Sequence, residues 1–257
     1  MINVSEGREV APFVVAAGGA LLDVHSDVHH NRSVLTLAGP EVEAAARAVA
    51  AAAVERLDIR SHQGVHPRIG VVDVVPFVPL AGSTMADALL ARDRFAAWCL
   101  AELGLPCLVY GPERTLPEIR REAAHLGPAH PTAGRCAVGA RPVLVAYNVW
   151  LAPPATVDDA RRIAAAVRGR HVRALGFDVG GAPQVSCNLI EPAAVGPGAL
   201  VDAVASRAAV ARTELVGLVS ASVLHAEPPS CWPALDLDPS RTIEARLERA
   251  GLDGGSG

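Results

Sequence analysis

The sequence predicts an α/β (α+β) protein made of two ferredoxin-like βαββαβ lobes with a ligand cleft between them. Short apolar runs alternate with alanine-rich amphipathic stretches, which indicates strands followed by helices. The second half gives the order strand, helix, strand, strand, helix, strand, and the first half adds an extra helix and strand to it. A length of 257 residues is sufficient for two small cores. We therefore expect lobes at 1–142 and 143–257, joined between about residues 128 and 141.

In the first half, apolar runs bounded by turn residues predict five strands, at 2–4, 20–24, 33–38, 70–75 and 107–110. The helices predicted in this half cover 41–56, 85–103 and 116–125. Pro40 stands in the first turn of the first of these helices, where proline is tolerated. Ser83 is a suitable N-cap for the second helix, and Gly104 is a suitable C-terminal stop.

The second half contains the same kinds of signal. Its predicted strands are 143–148, 172–177, 184–189 and 214–218. Thr156 is expected to cap a helix whose first turn carries two aspartates, and a second helix is expected at 198–211. Gly180-Gly181 predicts a hairpin turn. A short capped helix within 238–251 and a disordered tail at 254–257 complete the prediction.

The composition excludes several classes of protein. The chain contains no lysine, which removes P-loop nucleotide chemistry and any lysine Schiff base. A net charge of −4 without a long basic run argues against nucleic acid as a partner. No apolar run reaches the roughly 18 residues of a membrane span and no signal-peptide pattern is present, so we expect a cytoplasmic protein. The five cysteines form no C-x-x-C pair, which predicts reduced thiols.

The segment 61–80 concentrates reactive side chains on a short loop. His66 precedes Pro67, which disfavours helix and gives the histidine extended geometry. Gly64 and Gly70 permit sharp turns on either side of it. The pattern therefore predicts an imidazole presented on a rigid loop at the start of a strand, suited to moving one proton near neutral pH. A surface loop histidine is the alternative.

A metal site is the other use that these histidines could have. His62 and His66 have H-x-x-x-H spacing, which binds a metal only when both side chains lie on one face of a helix. Gly64 and Pro67 oppose a helix there, and no H-E-x-x-H sequence is present. We therefore expect no metal site, and metal-dependent hydrolysis is the less favoured alternative.

Asp73 lies in the apolar run Val-Val-Asp-Val-Val, where a carboxylate requires a charged or hydrogen-bonding partner. The predicted partner is Arg68 or His66, in a structural ion pair or in a contact that orients the histidine. Arg32 follows Asn31 just before a strand and could bind a carboxylate in a two-pronged fashion, although an isolated arginine is more often a surface residue.

Two further segments could bind a ligand. Alternation along the strand at 184–189 places Gln184, Ser186 and Asn188 on one face, where they suit hydrogen bonding to a heteroaromatic or amide ligand, or simply face solvent. The loop 127–134 is framed by glycine and proline, so it could clamp a ligand at the lobe junction or act as a stiff linker.

Six short motifs, taken together and in order, resemble the glutamate formimidoyltransferase (formiminotransferase) family. They are NVSEGR at 3–8, HNRSV at 30–34, HxGxHPRxG at 62–70, DVxPFxP at 73–79, VGAR at 138–141 and VSxNL at 185–189. The resemblance covers nearly the whole chain and extends to the C-terminal segment 237–247. It implies a monofunctional transferase, with no room for the cyclodeaminase domain that is fused to this enzyme in animals.

The resemblance implies transfer of a formimino group between N-formimino-L-glutamate and tetrahydrofolate, giving 5-formiminotetrahydrofolate and L-glutamate. This reaction belongs to histidine degradation and one-carbon metabolism. Tetrahydrofolate would be a co-substrate bound between two ferredoxin-like lobes. No metal, nucleic acid or membrane partner is expected, and assembly as a homodimer is left open.

The resemblance also assigns residues to the expected site. His66 matches the catalytic histidine of the family and would act as general base and then general acid, with Asp73 and Arg68 completing the catalytic group. Charge, and not the resemblance, makes Arg32, Arg68 and Arg141 candidates for binding the carboxylates of glutamate and folate, and Asn31 is placed with Arg32 and Arg141 in the substrate-binding set. The folate-binding segment of the family is matched by Gly127, Pro128, Ala129, His130, Pro131, Thr132, Ala133 and Gly134. The shared strand face of Gln184, Ser186 and Asn188, and not the resemblance, adds these three residues as candidates for folate binding.

Three features depart from the family pattern. The segments 8–19 and 120–127 are shorter than in most members. His25 occupies a place where some members carry an acidic residue, a role that Asp27 could fill. These departures motivate a second hypothesis, a non-catalytic or altered-specificity relative that binds folate.

Overall fold

A computed structural model of the chain describes residues 1–123, 125–126 and 129–252. The chain divides into two compact units, Met1–Pro142 and Val143–Gly257. The predicted connection at 128–141 is wrong, because Cys136–Ala140 is a strand inside the first unit. The alanines and the glycine of this strand have low strand propensity, so the local sequence pattern did not predict the strand. The expected tail at 254–257 lies outside the described residues.

The first unit is built on a mixed six-stranded sheet. Its strands are β1 (Ile2–Val4), β2 (Leu21–Asp27), β3 (Arg32–Leu37), β4 (Val72–Phe77), β5 (Cys107–Tyr110) and β6 (Cys136–Ala140). Its helices are α1 (Ala11–Ala17), α2 (Val42–Arg56), α3 (Met85–Leu103) and α4 (Leu116–Ala123). The strands lie in the order β2-β3-β1-β4-β6-β5.

The first four strands form the predicted ferredoxin-like arrangement. β1 lies between β3 and β4 and pairs antiparallel with both, while β2 pairs antiparallel with β3. Beyond β4, the strands β6 and β5 continue the sheet in parallel register. The unit therefore adds two helices and two strands to the basic motif, namely α3, β5, α4 and β6, where one extra helix and one extra strand were expected. Of these four elements, only β6 lies outside the predicted ranges.

The main core of the first unit contains residues of the sheet and of helices α1, α2 and α3. Along β6, Cys136 and Val138 pack in this core, whereas Ala137 between them packs with Tyr110 and Ile119. Because neighbouring side chains of a strand point to opposite faces, α4, which carries Ile119, covers the other face of β6. Among the described residues, no helix is both long and apolar enough to cross a bilayer.

The second unit repeats the basic motif around an antiparallel sheet. Its strands are β7 (Val145–Leu151), β8 (Val172–Val179), β9 (Ala182–Leu189) and β10 (Val210–Val216), in the order β10-β7-β9-β8. Its helices are α5 (Val157–Val167), α6 (Pro197–Ala205), α7 (Ala221–Ala226) and α8 (Ile243–Arg249). The predicted hairpin between β8 and β9 is confirmed, with Gly180 and Gly181 both at positive φ.

The predicted helix at 198–211 is wrong at its C-terminal end. Helix α6 ends at Ala205, and β10 begins at Val210 rather than at residue 214. The residues in between contain no glycine or proline to stop a helix, so local propensity favours a longer one. The antiparallel pairing of β10 with β7 decides the outcome instead.

Two predicted helix caps are confirmed and one is corrected. Gly104 ends α3 in the left-handed region, and Thr156 caps α5 in a reciprocal pair with Asp159. The N-cap of α3 is Thr84 and not Ser83, because only Thr84 is placed to accept from the backbone N–H of Asp87. Ser83 Oγ instead bonds the backbone of residue 80.

This correction gives a test with a matched control. Thr84→Ala removes an N-cap and is expected to lower the free energy of unfolding by about 1 kcal/mol. Ser83→Ala removes only an exposed turn contact and is expected to cost less than about 0.5 kcal/mol. Urea unfolding of both variants measures the difference. An equal loss in the two variants would contradict the cap assignment.

A second test concerns the contact between β5 and β6. The Tyr110 ring lies against Gly139, so an added Cβ would stand 2.1 Å from Cζ of the ring. Because Tyr110 is only 5% exposed, its ring has little room to move, and Gly139→Ala should destabilise the protein by about 1–3 kcal/mol. Gly19→Ala is the control, since its Cβ would meet no atom within 4 Å. Urea unfolding that fails to separate these two variants would disprove the close contact.

Candidate active site

His66 lies on an irregular loop between the 3-10 turn Ile59–Ser61 and β4, as the sequence predicted. Its Nδ1 is 2.7 Å from the carbonyl oxygen of Pro67. Since a carbonyl oxygen only accepts, Nδ1 carries the proton and donates it in this hydrogen bond. In the neutral ring the lone pair is therefore on Nε2, which is the nitrogen able to act as a base. The side chain is half-buried.

The loop is held by contacts with the turn that connects β2 and β3. Asn31 sits in that turn at a φ of 46°, a region that asparagine tolerates better than most residues. Its Oδ1 accepts from the backbone N–H of Gly7 at 2.9 Å, and its Nδ2 donates to the carbonyl oxygen of Gln63 at 2.8 Å. Asn31 is thus a buried structural clamp between two loops, which the prediction of substrate binding did not anticipate.

Arg68 strengthens the same junction. Its guanidinium donates to the carbonyl oxygens of His30 and His66 and contacts the His62 ring. Gly64 is needed at this point, because a Cβ there would stand 2.4 Å from the carbonyl oxygen of His30. Burial, followed by the Arg68 charge, lowers the pKa of His62. The loop is therefore fixed by local polar contacts rather than by a strand ladder.

Asp73 is completely buried at the start of β4 and binds two arginines. Its Oδ2 accepts from Arg32 Nη1 at 2.5 Å and from Arg120 Nη2 at 2.6 Å, while Oδ1 accepts from the backbone N–H of Ile69 at 2.9 Å. The expectation that Arg68 would be the partner is wrong, because Arg68 is occupied by the loop carbonyls. His66 interacts with Asp73 through its charge, but the ion pairs are with the two arginines.

Electrostatics sets the protonation of both groups. Burial by itself would raise the pKa of Asp73, but the charges of Arg32 and Arg120 outweigh it and hold that pKa below the usual value. Burial lowers the pKa of His66 well below its usual 6.5, the Arg32 charge lowers it further, and Asp73 acts in the opposite direction. His66 is therefore neutral at pH 7, with its base nitrogen unprotonated.

Arg120 is the residue of this cluster that the sequence analysis missed. It lies on α4 four residues after Leu116 and next to the buried Ile119, in the stripe where an apolar side chain is expected. A charged residue inside an apolar stripe requires a buried partner, and Asp73 is that partner. This signal was present in the sequence, although the partner was not identifiable from it.

The described part of the predicted folate loop, residues 129–134, belongs to the first compact unit, which ends at Pro142. His130 and Gly134 exchange backbone hydrogen bonds of 3.0 Å and close a tight turn. This turn is tied to the His66 loop, because the N–H of Ile59 donates to the carbonyl oxygen of Thr132 at 2.7 Å and Gly134 pairs with Gly70. The turn formed by residues 130–134 thus supports both ends of the loop, while Gly127 and Pro128 lie outside the described residues.

Arg141 lies just after β6, where its Nη1 donates to the carbonyl oxygen of Pro142 at 2.8 Å. It also contacts the Tyr110 hydroxyl; burial raises the pKa of Tyr110 to about 12, although the Arg141 charge opposes this. Neither of these contacts involves the His66 loop. Its assignment to a substrate carboxylate stays a prediction.

In the second unit, β9 has the predicted alternation. Val185 and Cys187 are in the core, whereas Gln184, Ser186 and Asn188 share the other face and become more exposed in that order. Their register partners on β7 include Asn148 and Trp150, whose side chains donate to Glu214 Oε2 at 3.0 and 3.2 Å. This polar sheet face therefore contains three residues that the sequence analysis did not name.

Asp73→Asn tests the ion-pair cluster. It leaves the partly buried guanidiniums of Arg32 and Arg120 without their shared counter-charge and should lower the free energy of unfolding at pH 7 by about 3 kcal/mol. The pKa of Asp73 is lower in the folded state than in the unfolded state. The carboxylate therefore stabilises the folded protein fully when the pH is above the unfolded-state pKa, and this stabilisation is lost as the pH falls through the folded-state pKa. The difference between wild type and variant in urea unfolding should therefore shrink as the pH falls below 3.8.

The control for this experiment is Asp158→Asn, which removes a carboxylate that is 80% exposed on α5. This exposed variant loses only a first-turn charge and a surface ion pair, so it should cost less than about 1 kcal/mol at pH 7, well below the effect of Asp73→Asn. A difference between wild type and Asp73→Asn that stays constant from pH 7 to pH 2 would show that the carboxylate charge is not the stabilising feature.

Comparison with known proteins identifies the family. Residues 1–141 match the family model of the formiminotransferase domain, N-terminal subdomain. The chain is 36% identical over 198 residues to glutamate formimidoyltransferase of Streptococcus pyogenes serotype M1, covering 65% of this chain and 66% of that protein. Identity is 35% over 177 residues to glutamate formimidoyltransferase of Thermoplasma acidophilum, covering 58% of this chain and 57% of that protein.

A longer relative aligns as well. Formimidoyltransferase-cyclodeaminase of Sus scrofa is 35% identical over 234 residues, which cover 74% of this chain and 43% of that protein. The chain thus spans less than two thirds of each of these relatives. The family model nevertheless covers more than half of the chain, and the motifs at the His66 loop lie inside the matched region. The chain belongs to the formiminotransferase family.

Proposed function

We propose that this protein transfers the formimino group between N-formimino-L-glutamate and tetrahydrofolate, giving 5-formiminotetrahydrofolate and L-glutamate. Family membership and the names of the relatives support this activity. The observation that carries the proposal is the state of His66, a neutral imidazole with Nδ1 bonded to a carbonyl and the lone pair on Nε2. This state is the one that a general base requires.

In the proposed reaction, N5 of tetrahydrofolate attacks the formimino carbon of formiminoglutamate. His66 Nε2 takes the proton that N5 loses, so the ring becomes an imidazolium. The imidazolium then returns that proton to the glutamate nitrogen as the carbon–nitrogen bond breaks. The low pKa of His66 keeps the ring neutral before the first step and makes the imidazolium a better proton donor in the second, while it weakens the ring as a base.

The charge of the cluster agrees with anionic substrates. Arg32 and Arg120 share one carboxylate, so the group keeps a net positive charge next to His66. A positive site of this kind attracts the carboxylates of formiminoglutamate and of folate. Arg32, Arg68 and Arg141, with Asn31 as a support, are the proposed contacts. In addition, we assign tetrahydrofolate to residues 129–134 and to the polar face of β9.

The side chains around His66 are those of His30, Arg32, Arg120 and Asp73. In the described residues, no three His, Cys, Asp or Glu side chains are grouped to hold a metal. We assign tetrahydrofolate as co-substrate and histidine degradation as the metabolic context. All five cysteines are free thiols, as expected in a reducing cytoplasm.

The activity is tested by assaying 5-formiminotetrahydrofolate formation with purified protein. His66→Gln removes the base but keeps a polar side chain, and kcat should fall by about 10²–10⁴. His225→Gln, on an exposed turn of α7, is the matched control and should have wild-type activity. Full activity of His66→Gln would rule out the mechanism. Folate binding without turnover in the wild type would favour the altered-specificity hypothesis.

The pH dependence gives a second test. Since the pKa of His66 lies well below 6.5, the neutral base is present across the range in which an ordinary histidine titrates. The acid limb of kcat/KM should therefore have its midpoint clearly below pH 6.5. Activity should change little between pH 7.5 and pH 6.5. A midpoint at or above 6.5 would mean that His66 is not the titrating base.

A further inference from the structure

The carbonyl oxygen of Pro67 accepts two hydrogen bonds, one from an imidazole and one from a guanidinium. His66 Nδ1 and Arg120 Nη1 each lie 2.7 Å from it. Arg120 is itself fixed at its other end, because Nη2 donates to Asp73 Oδ2 at 2.6 Å. One guanidinium therefore connects the buried carboxylate of β4 with the oxygen that orients the imidazole.

We propose that Arg120 is a positioning residue for His66. By holding the Pro67 carbonyl, Arg120 fixes the imidazole in the Nδ1–H tautomer and keeps the lone pair on Nε2. The inference rests on the proposed function, in which Nε2 transfers the proton, but the position of the proton on the ring is a separate physical property.

The backbone around Pro67 supports this role. The proline ring restricts φ, so ψ mainly determines where its carbonyl oxygen points. The two successive carbonyl oxygens accept hydrogen bonds from different parts of the unit. Arg68 of the same loop donates to the carbonyl oxygen of His66, and Arg120 of α4 donates to that of Pro67. With both peptide planes fixed, the acceptor for Nδ1 has one position.

The anchor of Arg120 is also rigid. Its helix α4 is packed through Ile119, which is fully buried, and its own side chain is 20% exposed. The guanidinium is a planar fork, so one side chain reaches Asp73 and Pro67 at the same time with fixed geometry. A lysine at this position would present one ammonium group and could not reproduce both contacts.

Burial and several charged groups that face His66 together set its pKa. Arg32 from β3 and Arg120 from α4 oppose the protonated ring, whereas Asp73 from β4 favours it. The ring of His30 lies 5.8 Å away between centroids, and Arg68 contacts the His66 backbone. Burial lowers the pKa of His66 most, and the Arg120 charge adds to this effect.

The test is ¹⁵N NMR of the histidine rings in the full chain, read as a function of pH. The wild type should show the His66 Nδ1–H tautomer. In Arg120→Gln the Nε2–H tautomer should appear, and the titration midpoint should rise by about one pH unit because a nearby positive charge is lost. Arg120→Lys keeps the positive charge but not the forked geometry. In this variant the tautomer should change, while the titration midpoint of His66 stays within about 0.3 pH unit of wild type.

Arg121→Gln is the matched control, because Arg121 is the exposed neighbour of Arg120 on α4. It should leave the tautomer and the midpoint unchanged. The proposal is overturned if the wild type has the Nε2–H tautomer, or if both Arg120 variants keep the wild-type tautomer, or if Arg121→Gln changes it equally.

Kinetics adds a readout that depends on the proposed function. In Arg120→Lys, which keeps the positive charge that attracts the anionic substrates, kcat should fall about tenfold with KM within about twofold of wild type, because proton transfer and not binding is affected. If the wild type lacks formimino transfer while the NMR result holds, the function fails and the positioning role stands. If activity is present and the tautomer is insensitive to Arg120, the positioning role fails alone.

Discussion

The buried carboxylate of Asp73 is the interaction on which the rest of the site depends. A charge with no solvent access is tolerated only when counter-charges and hydrogen bonds surround it, and here both oxygens are satisfied. Arg32, Arg120 and the backbone of Ile69 reach it from β3, α4 and the end of the His66 loop. Four segments of the first unit are thereby fixed relative to one another around one acid.

This constraint explains how a loop without a strand ladder presents a fixed imidazole. Asp73 holds the end of the loop, while Asn31 and Arg68 hold its beginning through backbone carbonyls. Gly64 permits the close approach that these contacts require. The consequence is a histidine whose ring is oriented by a carbonyl and whose charge is suppressed by its surroundings, as a proton-transferring group needs.

The extension of the first sheet has a chemical role as well as a structural one. The four-strand motif alone would give Asp73 one arginine, from β3. The added α4, β5 and β6 supply Arg120, and the segment before β6 supplies the turn 130–134 that braces the His66 loop. The second unit has the basic motif without this extension, and its sheet carries a polar face instead. The two units have thus become different through additions to one plan.

The sequence by itself determined most of the strands and helices, the ferredoxin-like motif, the loop position of His66 and the alternation along β9, because these follow from local periodicity and turn residues. It could not determine which arginine meets Asp73, since Arg120 lies 47 residues away and its partner is selected by the packing of α4. The strand β6 and the true end of α6 were also decided by tertiary pairing, which overrides weak local propensity. Local chemistry predicted His66 as the base, and long-range packing decided its environment.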